Sequence, residues 1–212
     1  MAPQSRWFEP GSPLRTPWRL LRLRHAALTY ARHGWRVIAG SRLCGTRFSC
    51  GPGCHTVSCH PIEHAWDVDH QWDATGLTDP DTVAEYWRDV PHSVLLATGD
   101  RFDAVEVPAH LGALATRVPP GPVIVTPSGS WLFLVEPGEP LHPDLAALHD
   151  VVLHGVGSWI PAPPVRMPEG RVRWAVSPHE TDWRLPDPRA VQSALARPLP
   201  PQRPARRVGT AA

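Results

Sequence analysis

The chemistry-bearing residues are densest between positions 44 and 64, where the chain reads Cys44-GTRFS-Cys50-GPG-Cys54-HTVS-Cys59-His60-PIE-His64. All four thiols of the chain fall in this segment, and Gly45, Gly51, Pro52 and Gly53 supply the tight turns that let neighbouring thiolates converge on one point. Zinc takes four nitrogen or sulfur ligands in a tetrahedron, and a closed tetrahedron of this kind is structural rather than catalytic. A segment with so few apolar residues needs such a staple to order itself. Cys50, Cys54 and His60 are the expected core of a zinc site, completed by Cys44 or Cys59, with His55 and His64 outside it. The spacing is not a paired CxxC, so two disulfides or four free thiols remain the alternatives.

A second chemical signal is basic and aromatic. Arg166, Arg171 and Arg173 alternate with apolar residues near Trp159 and Trp174, a composition suited to the backbone and bases of a single-stranded nucleic acid. The same alternation also describes the exposed face of an ordinary strand. Ser128-Gly129-Ser130 sits between two apolar runs, where successive backbone N–H groups can cradle a phosphate or simply close a hairpin. His149, Asp150 and His154 lie close in sequence, but no nucleophile accompanies them, and no hydrolase chemistry is expected there.

Composition limits the rest. The 212 residues are 42% apolar with 10 Trp, enough for one ordinary core. Net charge is +1, so nothing global favours nucleic acid or membrane. Every basic residue other than histidine is arginine, which excludes a lysine nucleophile or Schiff base. No run approaches the roughly 18 apolar residues of a membrane span, and the Arg-rich N-terminus has no apolar signal core. The expectation is a cytoplasmic protein with reduced thiols and no membrane partner.

The elements that must position these residues follow from pattern. Residues 1–13 are Pro- and Gly-rich and are expected to be loose. Trp18, Leu21, Ala27, Leu28 and Ala31 recur at helical spacing up to a C-capping Gly34. Trp35–Ala39 reads as a strand. Asp79-Pro80 starts a helix whose Val83, Tyr86 and Trp87 face inward. Strands are expected at 93–98, 102–107, 122–126, 131–135, 151–153, 158–161 and 172–176, and helices at 110–117, 143–149 and 187–196. The Pro/Arg-rich residues 197–212 are expected to be disordered. Strands alternating with helices and hairpins give an α/β or α+β layered domain over 14–196, with the Cys/His insert at 43–64.

Several pieces in this order resemble the N-terminal domain of bifunctional DNA primase/polymerases, a family of the archaeo-eukaryotic primase superfamily. They are ALTYARHGW before RVIAG, Cys50-Gly51 with Cys54 and His60-Pro61, Trp72 before Thr78-Asp79-Pro80, Val94–Gly99, Thr126–Ser130, and Gly157–Pro164. The resemblance covers roughly residues 25–176. Phe48 stands where the family's insert has its first Cys. The resemblance implies an RRM-like sheet with flanking helices and a zinc-knuckle-like insert, and template-directed nucleotidyl transfer with Mg²⁺ or Mn²⁺.

Such transfer needs two divalent ions held by carboxylates. The family supplies a pair of acids on one strand, a third on a later strand, and a histidine on the Ser-Gly hairpin strand. By resemblance Glu106 takes the first acidic position, Pro108 the second, Val156 the third, and Leu132 the histidine position. Asp103 lies three residues before Glu106 and points to the other sheet face in a regular strand. One Glu cannot hold two hard cations. The resemblance therefore implies a degenerate primase/polymerase-like domain that binds DNA or nucleotide, with a helicase or other replication protein as a separate partner. The alternatives are an active enzyme with a metal site rebuilt around Asp103 and Glu106, and a zinc-stabilised protein-interaction module.

Overall fold

The computed structural model describes residues 17–50, 58–62, 76–113 and 119–197. Cys54, His55, His64, both termini and the far end of the helix expected at 110–117 lie outside the described residues.

Helix α1 (Pro17–Arg32) ends at Gly34, whose φ of +76° is the left-handed cap that glycine adopts without strain. Its buried stripe is Leu23, Ala27, Tyr30 and Ala31. Trp18 and Leu21, which share the helical spacing of this stripe, are 70% and 52% exposed. The inward row is set by contact with the sheet strands β1 (Val37–Gly40) and β4 (Ser93–Ala97), which begins only at Leu23. Between these strands lies a short hairpin, β2 (Arg42–Cys44) and β3 (Arg47–Ser49). Helix α2 (Pro80–Tyr86) starts as expected: the Asp79 carboxylate accepts the Thr82 N–H at 2.9 Å, and Val83 and Trp87 are fully buried.

The remaining elements are β5 (Asp103–Val107), α3 (Ala109–Gly112), β6 (Val123–Val125), β7 (Trp131–Val135), α4 (Pro143–Ala146), β8 (Val152–His154), β9 (Trp159–Pro161), β10 (Arg166–Met167), β11 (Gly170–Arg171), β12 (Arg173–Val176) and α5 (Pro188–Ala196). A 3₁₀ turn at Pro178–Thr181, closed by a Ser177/Glu180 capping box, precedes α5. The expected elements are present, with α4 three residues shorter than expected; the β2–β3 and β10–β11 hairpins were not foreseen.

All strand pairs are antiparallel. A five-stranded sheet runs in the order β12-β6-β7-β5-β8, and a three-stranded sheet in the order β1-β4-β9. One core joins α1, α2 and the three-stranded sheet to Ala104, Ile124, Leu132 and Leu134 on one face of the larger sheet. The opposite face presents Val105, Val107, Phe133 and Val135 to Leu111, Leu145, Val191 and Leu195 of α3, α4 and α5. The chain is therefore a mixed α/β domain in which β4 is buried on both faces. Much of the tryptophan content is spent here: Tyr30 stacks on Trp35 at 5.9 Å, and Trp35 packs on Phe102 and Trp183 at 4.9 Å each.

Candidate functional site

Register on the five-stranded sheet decides what surrounds Glu106. Residues directly opposite in antiparallel strands share a face. Glu106 lies across from Leu132 of β7 on one side and Val152 of β8 on the other, while His154 is one diagonal step away, across from Ala104. This face opens into a cleft of about 420 Å³ whose lining includes Glu106, Leu132, His154, Ser158, Ser128 and Met167. Val156, the position to which the resemblance assigns the third acid, is 71% exposed in the turn after β8 and does not line the cleft. The strand ends at His154, so Val152 is the β8 residue that faces Glu106 directly. Valine at either place supplies no carboxylate to that wall.

Glu106 is engaged from within the protein. His154 Nε2 donates to Glu106 Oε2 at 2.8 Å, and Ser130 also bonds the carboxylate. With Nε2 donating, Nδ1 of His154 accepts from the Ser158 hydroxyl at 3.1 Å. The bond from His154, with a smaller one from Ser130, holds Glu106 below its ordinary value although burial pulls the other way. The result is a row of hydroxyl, imidazole, carboxylate and hydroxyl that can pass a proton but carries one anionic charge. The turn after β8 is fixed by Thr98, whose N–H donates to Ser158 O at 3.1 Å and whose hydroxyl donates to Gly155 O at 2.6 Å.

Asp103 is on the other face of β5. It is 4% exposed, and its Oδ2 accepts the Gly138 N–H at 2.8 Å, tying down the loop after β7. Burial pushes its pKa up. It does not line the Glu106 cleft.

Ser128, Gly129 and Ser130 form the expected β6–β7 hairpin turn, with Gly129 at φ +95°. Thr126 organises it: its hydroxyl lies 2.8 Å from Ser128 Oγ and accepts the Ser130 N–H at 3.1 Å. Ser128 thus stands at the rim of the cleft and Ser130 beside the Glu106 carboxylate.

The insert is partly described. Cys44 ends β2 and is exposed, Cys50 follows β3 half-buried, and Cys59 is buried. Cys59 turns inward to the Ser93 and Ser41 hydroxyls, and burial pushes its thiol up to about 11. His60 is buried beside Ser41, with its N–H on Ser41 Oγ at 3.1 Å and its Nδ1 2.8 Å from Ser58 O. Among the described residues, no three of Cys, His, Asp and Glu come together as a metal site.

Arg166 and Arg171 lie side by side on the β10–β11 hairpin, whose strands were invisible to pattern because each is two residues long. They line a second cleft with Trp18, Arg19 and Arg22 of α1. Arg173, paired with Val125, does not line it. Trp159 lines the Glu106 cleft and Trp174 packs on the core against Tyr30 and Trp35, so neither joins the arginines. The sequence reading missed His154, Ser158, Trp18, Arg19 and Arg22. The first two share a face with Glu106 only through the pairing of β5 with β8, which no local pattern announces.

The family model for the bifunctional DNA primase/polymerase N-terminal domain matches residues 27–194. The chain belongs to that family. No curated protein and no solved structure matches the chain. As a primase/polymerase-family domain it carries the expected mixed architecture, and both clefts draw their walls from the matched stretch except for the start of α1. Among the described residues no helix is long and apolar enough to cross a membrane.

Proposed function

We propose that this primase/polymerase-family domain binds nucleic acid or nucleotide in DNA replication and does not catalyse nucleotidyl transfer by the two-metal route. The observation that carries this reading is the environment of Glu106: leucine and valine stand directly across from it, and its carboxylate is bonded to His154 and Ser130. Two hard cations a few ångströms apart need several anionic oxygens between them, and among the described residues this face offers one carboxylate. Asp103 does not repair the deficit, because it serves the Gly138 loop on the opposite face. Ser128, Gly129 and Ser130 remain placed to meet a phosphate at the cleft rim.

The test is a primer-extension assay on a single-stranded template with Mn²⁺ and either dNTPs or NTPs. The expected result is binding without extension. Template-dependent extension that disappears in Glu106→Gln would replace this reading with that of an active enzyme using a rebuilt site.

We further propose a structural zinc ion on Cys50, Cys54 and His60, of which Cys54 lies outside the described residues. The contact between His60 Nδ1 and the Ser58 carbonyl is the arrangement that orients a metal-ligating imidazole. Cys44 or Cys59 supplies the fourth ligand, and comparing Cys44→Ser with Cys59→Ser decides which. Metal analysis of purified protein should find one zinc per chain, lost in Cys54→Ser; protein free of zinc and still folded contradicts the assignment. A cytoplasmic location and a helicase or other replication partner complete the reading.

A further inference from the structure

The second cleft is where positive charge is concentrated. It has a volume of about 240 Å³ and brings Arg19 and Arg22 of α1 against Arg166 and Arg171 of the β10–β11 hairpin, with Trp18 at its mouth and Pro164 in its wall. Among the described residues no acidic residue lines it and none of these four arginines forms an ion pair, although the Cys44 thiol stands near Arg19. In a chain of net charge +1, four guanidiniums around one concavity are a local excess of positive charge that suits an anionic ligand. Guanidinium groups bind phosphate through two parallel N–H donors, which makes arginine the residue suited to phosphate recognition. Arg19 is crowded enough that burial, and then the charge of Arg166, lower its pKa.

The aromatic residue beside them is unusual in its own right. Trp18 is 70% exposed, although ten tryptophans are available to the chain and Trp35 and Trp87 are buried almost completely. An indole standing in solvent next to phosphate-binding arginines is the pairing used to stack a base while its backbone is held. The hairpin also connects this cleft to the other: Arg166 lines the arginine cleft and the next residue, Met167, lines the Glu106 cleft. Successive strand residues point to opposite faces, so one two-residue strand forms a wall of both.

We infer that the arginine cleft is a binding site for single-stranded nucleic acid, with backbone phosphates on Arg19, Arg22, Arg166 and Arg171 and a base stacked on Trp18. This rests on the nucleic-acid part of the function proposed above and assigns that binding to a place away from the Glu106 carboxylate. A flat anionic membrane fits less well, because the arginines line a concavity between a helix and a hairpin rather than a convex belt.

The test measures anisotropy of a labelled single-stranded oligothymidine against the full chain, across a salt series. The variants are Trp18→Ala, Arg166→Gln/Arg171→Gln and, as a control for lost surface charge, Arg88→Gln just after α2. Arg166, Arg171, Trp18 and Arg88 are all exposed, so the fold is retained. Loss of the two hairpin arginines should weaken binding roughly ten-fold or more at low salt and lower the slope of log K against log salt by about 1.4, or about 0.7 per phosphate contact. Trp18→Ala should weaken binding about five-fold or more while leaving the salt slope unchanged. Arg88→Gln should match the unaltered protein.

Oligonucleotide binding that all these variants leave intact overturns the site and spares the nucleic-acid reading. An unaltered protein that ignores the oligonucleotide but sediments with anionic phospholipid vesicles overturns both. Inorganic tripolyphosphate binding as tightly as the oligonucleotide, with Trp18→Ala silent, makes the cleft a site for a small phosphate ligand and overturns the strand assignment.

Discussion

The two clefts that share the β10–β11 hairpin are opposites in charge. Around Glu106, one carboxylate is surrounded by Leu132, Val152 and two internal hydrogen-bond donors, so its charge is spent inside the protein. Around Arg166, four like charges form no ion pair among the described residues, with the Cys44 thiol alone acting on Arg19 from the other sign. A paired charge stabilises the fold, and an unpaired cluster is available to a ligand. The family's architecture is kept while the place where positive charge is gathered differs from the place where catalysis is expected.

The contrast breaks most readily at the turn that carries His154 and Ser158. Gly99 has φ +99°, and a Cβ there would stand 2.3 Å from the Cα of Val156. Gly99→Ala should therefore cost roughly 2–4 kcal/mol and displace the Ser158–His154–Glu106 row, while leaving oligonucleotide binding in the arginine cleft nearly intact in whatever protein stays folded. Chemical denaturation alongside anisotropy checks both halves.

His154→Ala sharpens the claim that Glu106 is internally satisfied. Losing the donor from a half-buried carboxylate should cost about 1 kcal/mol, measured by urea unfolding at neutral pH. The sign with pH follows from the lowered Glu106 pKa. A group held below its unfolded value contributes stability above that value, and the contribution fades as pH falls through the folded value. The stability difference between the unaltered protein and His154→Ala should therefore be largest near neutrality and shrink in acid. A difference that grows on acidification contradicts the pairing.

Val152→Asp sets a second carboxylate directly across from Glu106. Val152 is 44% exposed, so the like-charge pair should cost no more than about 1 kcal/mol without metal. Mn²⁺ should then raise the melting temperature of Val152→Asp and leave that of the unaltered chain where it was.

Local chemistry was legible and remote pairing was not. Asp79-Pro80 announced α2 because a cap and a helix start are neighbours in sequence, and Ser128–Ser130 announced its hairpin for the same reason. The opposite face for Asp103 followed from strand alternation alone. Trp18 and Leu21 announced α1 by their spacing, but spacing gives the phase of a stripe and not where along the helix the sheet begins to cover it. His154 was set aside for want of a nucleophile, yet its partners Glu106 and Ser158 meet it through a pairing that spans 48 residues and a turn of glycines. Val156, which the resemblance sets at the family's third acidic position, stands in solvent two residues past the end of β8.

The central claim is electrostatic and can be met head-on by titrating the purified chain with Mn²⁺, followed by electron paramagnetic resonance, with a deoxynucleoside triphosphate present. A single carboxylate bonded to His154 predicts no saturable protein-held Mn²⁺ beyond what the nucleotide carries by itself. Two saturable ions per chain that vanish in Glu106→Gln would mean that this sheet gathers a catalytic metal pair after all.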